Sequence, residues 1–318
     1  MIEAVNLTKR YGKKTAVDNI SFTVEPGTVT GFLGPNGAGK STTMRMIMGL
    51  DKPTSGKVTI NGRPYRQLSA PLCEVGALLD AKGLHGSRSA RSHLRQLAAS
   101  NGIPAKRVDE VLDITGLTSV AKKRVKGFSL GMGQRLGIAA ALLGDPGVLL
   151  FDEPVNGLDP EGVKWVRETC RRLAGEGRTV FISSHLMSEM AQTADHLLVI
   201  GRGRILTAGP VNDVIASATT DRVRVASPQA TQLAELMASR NLAAQPVAPN
   251  VLETTATTAA TIGELAAQGG IVLHELTTIR ASLEEAYMTL TSDSVEYRTD
   301  PASQAQVRQA VPQGSARG

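Results

Sequence analysis

A run of nine residues near the start of the chain restricts its fold more than any other stretch. Residues 34–42 read Gly-Pro-Asn-Gly-Ala-Gly-Lys-Ser-Thr and fit the phosphate-binding pattern G-x-x-x-x-G-K-[ST]. Glycines allow backbone N–H groups to come close to phosphate oxygens. Lys40 places a positive charge near the terminal phosphates, and Ser41 offers its hydroxyl to Mg²⁺. We therefore predict a phosphate-binding loop between a strand and a helix.

The sequence on both sides of this loop has the pattern that the motif requires. Residues 28–33 read as a buried strand, and residues 41–48 read as a helix that ends at Gly49. In that arrangement the positive end of the helix dipole points at the bound anion. The alternative is a chance glycine-rich turn, which the strand–turn–helix context argues against.

A second candidate element is an apolar strand that ends in two acids. Residues 148–151 are all apolar, as in a central strand buried on both faces, and Asp152 and Glu153 follow directly. Side chains at the carboxyl end of such a strand lie where ligands bind in open α/β sheets. Asp152 is suited to bind Mg²⁺, and Glu153 is suited to polarise a water molecule for attack on a γ-phosphate. An acid pair alone is weak evidence, but together with the phosphate-binding loop it becomes strong.

The composition excludes several other classes of protein. Apolar residues make up 42% of the 318 residues and charged residues 20%, which is ordinary for a globular protein and allows two domains. The longest small or apolar run, residues 136–144, is too short to span a bilayer, and the N-terminal residues do not resemble a signal peptide. Cys73 and Cys170 lie far apart, which favours a reducing, cytoplasmic location. The histidines show no metal-ligand spacing, so we predict no structural metal.

The net charge of +6 raises the question of nucleic-acid binding. The densest basic cluster is Lys-Lys-Arg-Val-Lys at residues 122–126, and aromatic residues make up only 3% of the chain. Surfaces that bind nucleic acid usually combine a long basic face with stacking aromatics. We interpret the cluster as a solvated loop and expect no nucleic-acid partner.

One further segment carries a resemblance to a known family. Residues 128–135 read Phe-Ser-Leu-Gly-Met-Gly-Gln-Arg, directly before an Ala/Leu-rich helical run. This segment resembles the signature of ATP-binding cassette (ABC) ATPases, and its Ser-Leu-Gly-Met form resembles the branch that powers ABC-2 type exporters, including drug- and antibiotic-resistance ATPases. The order of motifs is also similar to that family: phosphate loop, signature, acid strand, Asn-Gly-Leu-Asp-Pro at 156–160 and Ser-Ser-His at 183–185. The resemblance covers roughly residues 1–215.

The resemblance implies a role for each matching residue. The implied catalytic residues are Lys40, Glu153 and His185. The implied nucleotide-binding residues are Tyr11, Gly34, Pro35, Asn36, Gly37, Ala38, Gly39, Lys40, Ser41, Thr42, Ser129, Gly131 and Asp159. The implied metal ligands are Ser41, Asp80 and Asp152. Tyr11 would stack on adenine, with an exposed edge aromatic as the alternative. His185 would contact the γ-phosphate, with a structural histidine as the alternative.

The sequence departs from the family pattern at two places. Asp80 stands where the family usually has a Gln, so a carboxylate replaces an amide that would contact the metal or its water. Leu130 and Met132 stand where the signature usually has Gly and Gln, which we interpret as a variant of the branch.

The predicted fold is α/β, a P-loop NTPase core of ABC type with an antiparallel β subdomain, a helical subdomain and a small C-terminal α/β domain. The ABC domain is predicted at 1–215. Its antiparallel strands are predicted at 2–6, 20–25 and 57–60. Its helical subdomain is predicted at about 83–145, with helices at 90–100, 105–115 and 133–143. An accessory domain is predicted at 216–292, near βαββαβ in order, with elements at 222–225, 231–242, 251–255, 262–267, 271–276 and 282–288. Residues 293–318 are predicted to be a disordered tail.

As a function, the resemblance implies an ATPase subunit that binds ATP and Mg²⁺ and closes on a second copy of itself. The closing dimer would drive export of a drug, antibiotic or lipid through a separate integral membrane permease. The chain would therefore lie in the cytoplasm, peripheral on the inner face of the membrane. The alternatives are a soluble ABC ATPase that acts on ribosomes or DNA, and a module that senses ATP without hydrolysing it. The single phosphate loop and the lack of coiled-coil heptads argue against the first, and Glu153 and His185 argue against the second.

Overall fold

Three β-sheets with helices packed on them make up the protein, for which a computed structural model describes residues 1–80, 83 and 85–291. The first sheet is antiparallel, with strand order β2-β1-β4, and its strands are β1 (Ile2–Tyr11), β2 (Lys14–Val24) and β4 (Ser55–Ile60). The predicted antiparallel strands are confirmed, and β1 and β2 extend further toward the turn between them than the apolar pattern indicates. The predicted tail at 293–318 lies outside the described residues.

The second sheet has six strands in the order β5-β6-β7-β3-β8-β9, and only β9 runs antiparallel to its neighbour. Its strands are β3 (Val29–Leu33), β5 (Val75–Leu78), β6 (Val148–Asp152), β7 (Thr179–Ser184), β8 (His196–Gly201) and β9 (Arg204–Pro210). Every residue of β3 and β7 is buried, as expected for central strands covered on both faces. This sheet positions the site, because its five parallel strands all end at one edge.

Helices cover the parallel sheet and form a separate helical layer. The helices that pack near the sheet are α1 (Lys40–Ile47), α2 (Pro71–Glu74), α6 (Pro160–Gly175), α7 (Met187–Thr193) and α8 (Val211–Ala218). The helical layer contains α3 (Ala90–Ser100), α4 (Lys106–Ile114) and α5 (Leu130–Leu142), as predicted. Helix α5 begins three residues earlier than expected because the Ser129 side chain accepts a hydrogen bond from the Met132 N–H and caps it.

The third sheet belongs to the C-terminal part of the chain. Its elements follow the order β10 (Arg222–Ala226), α9 (Ala230–Ser239), β11 (Gln245–Ala248), β12 (Val251–Thr254), α10 (Ala259–Gln268) and β13 (Glu275–Ile279). This confirms the predicted βαββαβ order. The strands lie antiparallel in the order β11-β12-β10-β13, and β10, β12 and β13 share a small core of their own with α9 and α10.

Two details of this sheet differ from prediction. The predicted strand at 271–276 is wrong in its first four residues, since β13 begins only at Glu275. The Ile271 N–H donates instead to the Ala266 carbonyl at the end of α10, and Ile271 and Leu273 pack against the small core, which explains their apolar character. Strand β11 is part of the predicted order, but the sequence did not show where it lies, because it contains Pro246 and all four of its residues are exposed.

The last described helix, α11 (Leu283–Thr291), packs on the first part of the chain. Its residues Leu283 and Tyr287 join the large core that also contains Val211 and Val214 of α8. Burial raises the pKa of the Tyr287 hydroxyl to about 12. Among the helices that the structure describes, none combines the length and the apolar content needed to cross a membrane.

Candidate functional site

The phosphate-binding loop connects β3 to α1, as the sequence predicts, and its glycines are required by the backbone. Gly37 and Gly39 have φ angles of 80° and 111°, which L-amino acids with side chains rarely adopt. A Cβ atom at Gly39 would lie 2.6 Å from the Ala16 carbonyl oxygen, and one at Gly34 would lie 2.5 Å from the Ile200 carbonyl oxygen. The loop backbone can therefore lie close to the neighbouring backbone carbonyls. No side chain caps the N-terminus of α1.

Lys40 begins α1 and extends into the centre of the site. Its ammonium donates to the carbonyl oxygens of Gly34 at 2.6 Å and Pro35 at 3.4 Å, and it lies 3.8 Å from Oε1 of Glu153. Only 6% of Lys40 is exposed. Burial lowers the pKa of this ammonium, and the negative charges of Glu153 and Asp152 oppose that shift. Lys40 is thus a buried cation held between the loop and the acid strand.

The register of the parallel sheet brings the candidate catalytic residues together. Asp152 of β6 lies opposite Ser183 of β7, and Leu33 of β3 lies opposite Ser184. The segments that follow these three strands are the phosphate loop, Glu153 and His185. Because parallel strands end at the same edge, residues separated by more than a hundred positions in sequence become neighbours.

Glu153 is the centre of this group. Its Oε2 lies 2.7 Å from Nδ1 of His185, while its Oε1 faces the Lys40 ammonium. About 20% of the Glu153 side chain and 48% of the His185 side chain are exposed, so both can reach a ligand at the surface of the site. A carboxylate held between a lysine and a histidine can accept a proton from a water molecule.

Ser183 is a residue of this site that sequence reasoning missed. Its hydroxyl donates to Oδ1 of Asp152 at 2.5 Å and accepts a hydrogen bond from the Glu153 N–H at 3.0 Å. It therefore orients both acids at once. The sequence shows Ser183 as the end of a β-rich run, and only the register of β6 against β7 reveals its partner.

The residues predicted to hold Mg²⁺ supply oxygen atoms, which suit this cation. Ser41 lies in the first turn of α1, next to Lys40, and Asp152 ends β6 with one carboxylate oxygen engaged by Ser183. Asp80 follows β5, whose Leu78 pairs with Phe151, so it lies at the same edge of the sheet and is exposed. Mg²⁺ commonly takes one or two carboxylates together with substrate phosphates, and this donor set fits that preference.

The signature residues lie in a different part of the same chain. Ser129 caps α5, Gly131 faces Leu158, and Asp159 caps α6 by accepting a hydrogen bond from the Gly162 N–H at 2.9 Å. Among the described residues, no hydrogen bond or ion pair joins these three to the phosphate loop. The structure therefore brings together Lys40 and the acid strand but leaves the signature residues outside that group.

Tyr11 lies at the end of β1, at the edge of the site. Its hydroxyl donates to Asp51 at 2.9 Å, the Lys9 ammonium lies 4.9 Å from its ring centroid, and 48% of the residue is exposed. Desolvation and the Asp51 carboxylate raise the pKa of the Tyr11 hydroxyl. Its role in adenine stacking stays a prediction.

A cavity of about 330 Å³ adjoins the phosphate loop. It is lined by Lys14, Thr15, Ala16, Pro35, Asn36, Gly37, Ala38, Arg202 and Gly203. The residues from β2 and from the turn before β9 were not among the predicted site residues, and no motif in the sequence points to them.

Comparisons with known proteins identify what this chain is similar to. The family described as "ABC transporter" matches residues 17–156, and a domain of unknown function matches residues 221–284. The chain is 46% identical over 213 residues to the bacitracin transport ATP-binding protein BcrA of Bacillus licheniformis, covering 66% of this chain and 70% of that protein. It is 32% identical over 301 residues to the daunorubicin resistance ATP-binding protein DrrA3 of Streptomyces coeruleorubidus, covering 90% of this chain and 94% of that protein.

A solved structure shares the fold of about two thirds of the chain. It is described as an ATP binding subunit of an ABC transporter, is 26% identical to this chain and superposes with a TM-score of 0.62. The match covers 68% of this chain and 92% of that structure. About a third of this chain thus lies outside the match to that structure, whereas the similarity to DrrA3 extends through most of both chains.

Proposed function

Because this chain belongs to the family of ABC transporter ATP-binding subunits, we propose that it hydrolyses ATP to drive export of an antibiotic-like compound through a separate membrane permease. The observation that carries the proposal is the meeting of Lys40, Glu153 and His185 at one edge of the parallel sheet, directly beside the phosphate loop. The relatives named for bacitracin transport and daunorubicin resistance support a drug or antibiotic as the exported substrate.

We propose a role in ATP hydrolysis for each residue of the site. The backbone of residues 34–39 and the Lys40 ammonium hold the phosphates, where positive charge offsets the charge that develops on the transferred group. Mg²⁺ held by Ser41, Asp152 and Asp80 would add positive charge at the β- and γ-phosphates. Glu153 accepts a proton from the attacking water, and His185, 2.7 Å from its carboxylate, steadies that carboxylate and would contact the γ-phosphate.

The signature residues fit a site that is completed by a second copy of the chain. Ser129 and Gly131 lie at the N-terminus of α5, where the helix dipole favours an anion, and we propose that they cover the γ-phosphate bound to the partner subunit. Closure would then depend on contacts that exist only with the γ-phosphate, so that hydrolysis removes the cause of closure. Asp159, which caps the neighbouring α6, would lie at the same interface.

The Glu153→Gln variant tests the enzymatic part of this proposal. The amide keeps the shape of the side chain but cannot accept the proton, so we expect steady-state hydrolysis to fall by about 100-fold or more while ATP binding is retained. With ATP and Mg²⁺ the variant should also accumulate as a dimer in size-exclusion chromatography. Glu168→Gln, an exposed acid on α6, is the matched control and should keep wild-type turnover. If wild type and Glu153→Gln hydrolyse ATP equally slowly, the proposed role of Glu153 is wrong.

The proposed partner is an integral membrane permease, which would hold the chain on the cytoplasmic face of the membrane. Purification of the tagged chain from detergent-solubilised membranes should recover a polytopic membrane protein in a defined ratio. The alternative, a soluble ATPase that acts on ribosomes or DNA, predicts instead that the chain is recovered with nucleic acid and without a membrane protein. That second outcome would contradict the transport function and leave the ATPase site as proposed.

A further inference from the structure

Two segments of the helical layer, residues 85–95 and 118–127, lie side by side and together form what we call the basic surface. Backbone hydrogen bonds join them: the N–H groups of Val125 and Lys126 donate to the carbonyls of Arg88 and Gly86, both at 2.9 Å. The N–H of Arg91 donates to the carbonyl of Ala121, also at 2.9 Å. Side chains separated by about thirty positions in sequence therefore share one face of the protein.

The basic surface holds the whole positive excess of the chain. It contains seven Lys and Arg residues and no Asp or Glu: Arg88, Arg91, Arg95, Lys122, Lys123, Arg124 and Lys126. The remainder of the chain has 28 basic residues against 29 acidic ones, so the net charge of +6 resides here. The positive charge is thus localised on one face and is not spread over the molecule.

Among the residues that the structure describes, most of this charge is not neutralised. The four basic side chains at 122–126 are exposed, and so is Arg95. Arg91 pairs with Asp109 of α4, whereas in the part of the chain that the structure describes the other six basic residues form no ion pair. The field of these charges also acts on His93, whose pKa is lowered first by burial and then by the positive charges of Arg88 and His85. Like charges held this close repel one another, and an anionic partner would offset that repulsion.

The composition of the basic surface favours a lipid headgroup layer over a nucleic acid. Neither segment contains a Phe, Tyr or Trp, so there is no platform on which bases could stack. A bilayer that contains anionic lipids is broad and fluid and attracts clustered Lys and Arg without requiring stacking or a fixed register. Exposed lysines with flexible stems suit this kind of contact.

We propose that the basic surface binds the anionic headgroups of a phospholipid bilayer. This contact goes beyond the proposed function, in which the chain reaches the membrane only through its permease. It would hold the helical layer against the headgroups and thereby fix the orientation of the subunit at the membrane. The binding depends on charge and not on nucleotide, so it can be measured on the purified full-length chain.

The test is sedimentation of the purified chain with vesicles of phosphatidylcholine containing about 30% phosphatidylglycerol, compared with vesicles of phosphatidylcholine alone. We expect binding to the anionic vesicles only, with loss of binding when salt rises from about 0.1 M to about 0.5 M. The triple variant Lys122→Gln, Lys123→Gln, Lys126→Gln should bind about 100-fold more weakly, since each basic residue near the surface contributes roughly a factor of five.

Two control variants make the result specific. Lys57→Gln, Lys164→Gln, Arg171→Gln removes the same charge from exposed positions elsewhere and should bind vesicles as the wild type does. Lys122→Arg, Lys123→Arg, Lys126→Arg keeps the charge and should also bind. Equal binding by the triple glutamine variant and the wild type, equal binding to neutral vesicles, or binding to RNA in place of vesicles would overturn the proposal. A chain that hydrolyses ATP but ignores vesicles refutes this contact alone, whereas one that binds vesicles but is inert toward ATP refutes the enzymatic proposal alone.

Discussion

Glu153 has a backbone φ of 51°, in the left-handed region that residues other than glycine seldom occupy. Such a conformation costs on the order of 1–3 kcal/mol and persists only where the surroundings fix it. Here the Glu153 N–H donates to Ser183, and the carboxylate lies between Lys40 and His185. The strain is concentrated on the residue proposed to act as the base, which fixes the direction of its side chain before a ligand arrives.

Cys170 provides a prediction about pH. It is fully buried in α6, and burial raises the pKa of its thiol from 9.0 to about 12. The thiol of the unfolded chain ionises first, so the unfolded state binds fewer protons and the free energy of unfolding falls as pH rises from 9 toward 12. At about pH 10 this group alone should lower the stability by about 1.4 kcal/mol relative to about pH 8.

Urea unfolding at these two pH values measures the effect. Cys170→Ala should lose about 1.4 kcal/mol less stability between them than the wild type does, whatever its absolute stability. Cys73→Ala removes an exposed thiol and should show the wild-type pH dependence. A Cys170→Ala variant with the same loss as the wild type would show that the buried thiol is not the titrating group.

At the residue scale, the sequence indicates which side chains meet but not how they are held. Lys40, Asp152 and Glu153 could be grouped because a phosphate loop and an acid strand both end at the carboxyl edge of a parallel sheet. The role of Ser183 could not be predicted, because it depends on which residue of β7 lies opposite Asp152. Nothing in either strand's own sequence specifies that register, since residues 149–151 of β6 and 180–182 of β7 are all apolar and buried.

At the scale of elements, helix α5 connects the signature to the acid strand within one chain. Gln134 lies one and a half turns after Ser129 and is 6% exposed. Its Nε2 lies 3.5 Å from the Glu153 carbonyl and 3.4 Å from the Asn156 carbonyl, while no described group pairs with its buried Oε1. These hydrogen bonds are long and individually weak, but they tie the backbone of Glu153 to the helix whose N-terminus would face the partner's nucleotide.

Replacing Gln134 tests this connection. Gln134→Leu removes the donor while keeping an apolar stem of similar length, so the Glu153 carbonyl loses its contact. We expect kcat for ATP hydrolysis to fall by about 5-fold to 10-fold, as for the loss of one hydrogen bond, with KM for ATP unchanged. The Hill coefficient for ATP should also fall, because the helix would no longer relate one subunit's signature to its own acid strand.

Gln96→Leu on the exposed face of α3 is the matched control and should keep both kcat and the Hill coefficient. A Gln134→Leu variant with wild-type kcat and cooperativity would show that the contact does not contribute to ATP hydrolysis. A variant with an altered KM alone would place the residue in nucleotide binding instead.

Buried helices and strands could be predicted from the sequence more readily than exposed ones. The helices α3, α4 and α5 and the strands β6, β7 and β12 are half-buried or fully buried, and their apolar spacing was sufficient to predict them. Strand β11 pairs through its backbone with β12, and all four of its residues are exposed, so it carries no pattern of buried apolar residues. The start of β13 was misplaced because a connecting segment can be apolar when it packs on a core.

At the scale of the whole molecule, two helices that are far apart in sequence pack on each other. The small sheet and its helices, Arg222 to Ile279, stand between two helices, α8 and α11, that pack on each other. Leu283 and Tyr287 fill the core formed mainly by residues 29–214. The composition shift near residue 210 precedes the small sheet, but no local signal shows that the last helix returns to the large core.

The return of α11 to the large core has a consequence for synthesis of the protein. The ribosome makes α8 and then 64 further residues before Leu283 is available, which takes roughly 3–13 s at typical rates of translation. During that interval the part of the chain already made, residues 1–218, exposes the apolar patch that Leu283 and Tyr287 later cover. A chaperone that binds emerging chains would meet this patch in every molecule made, and premature release of the polypeptide before α11 would leave it permanently open.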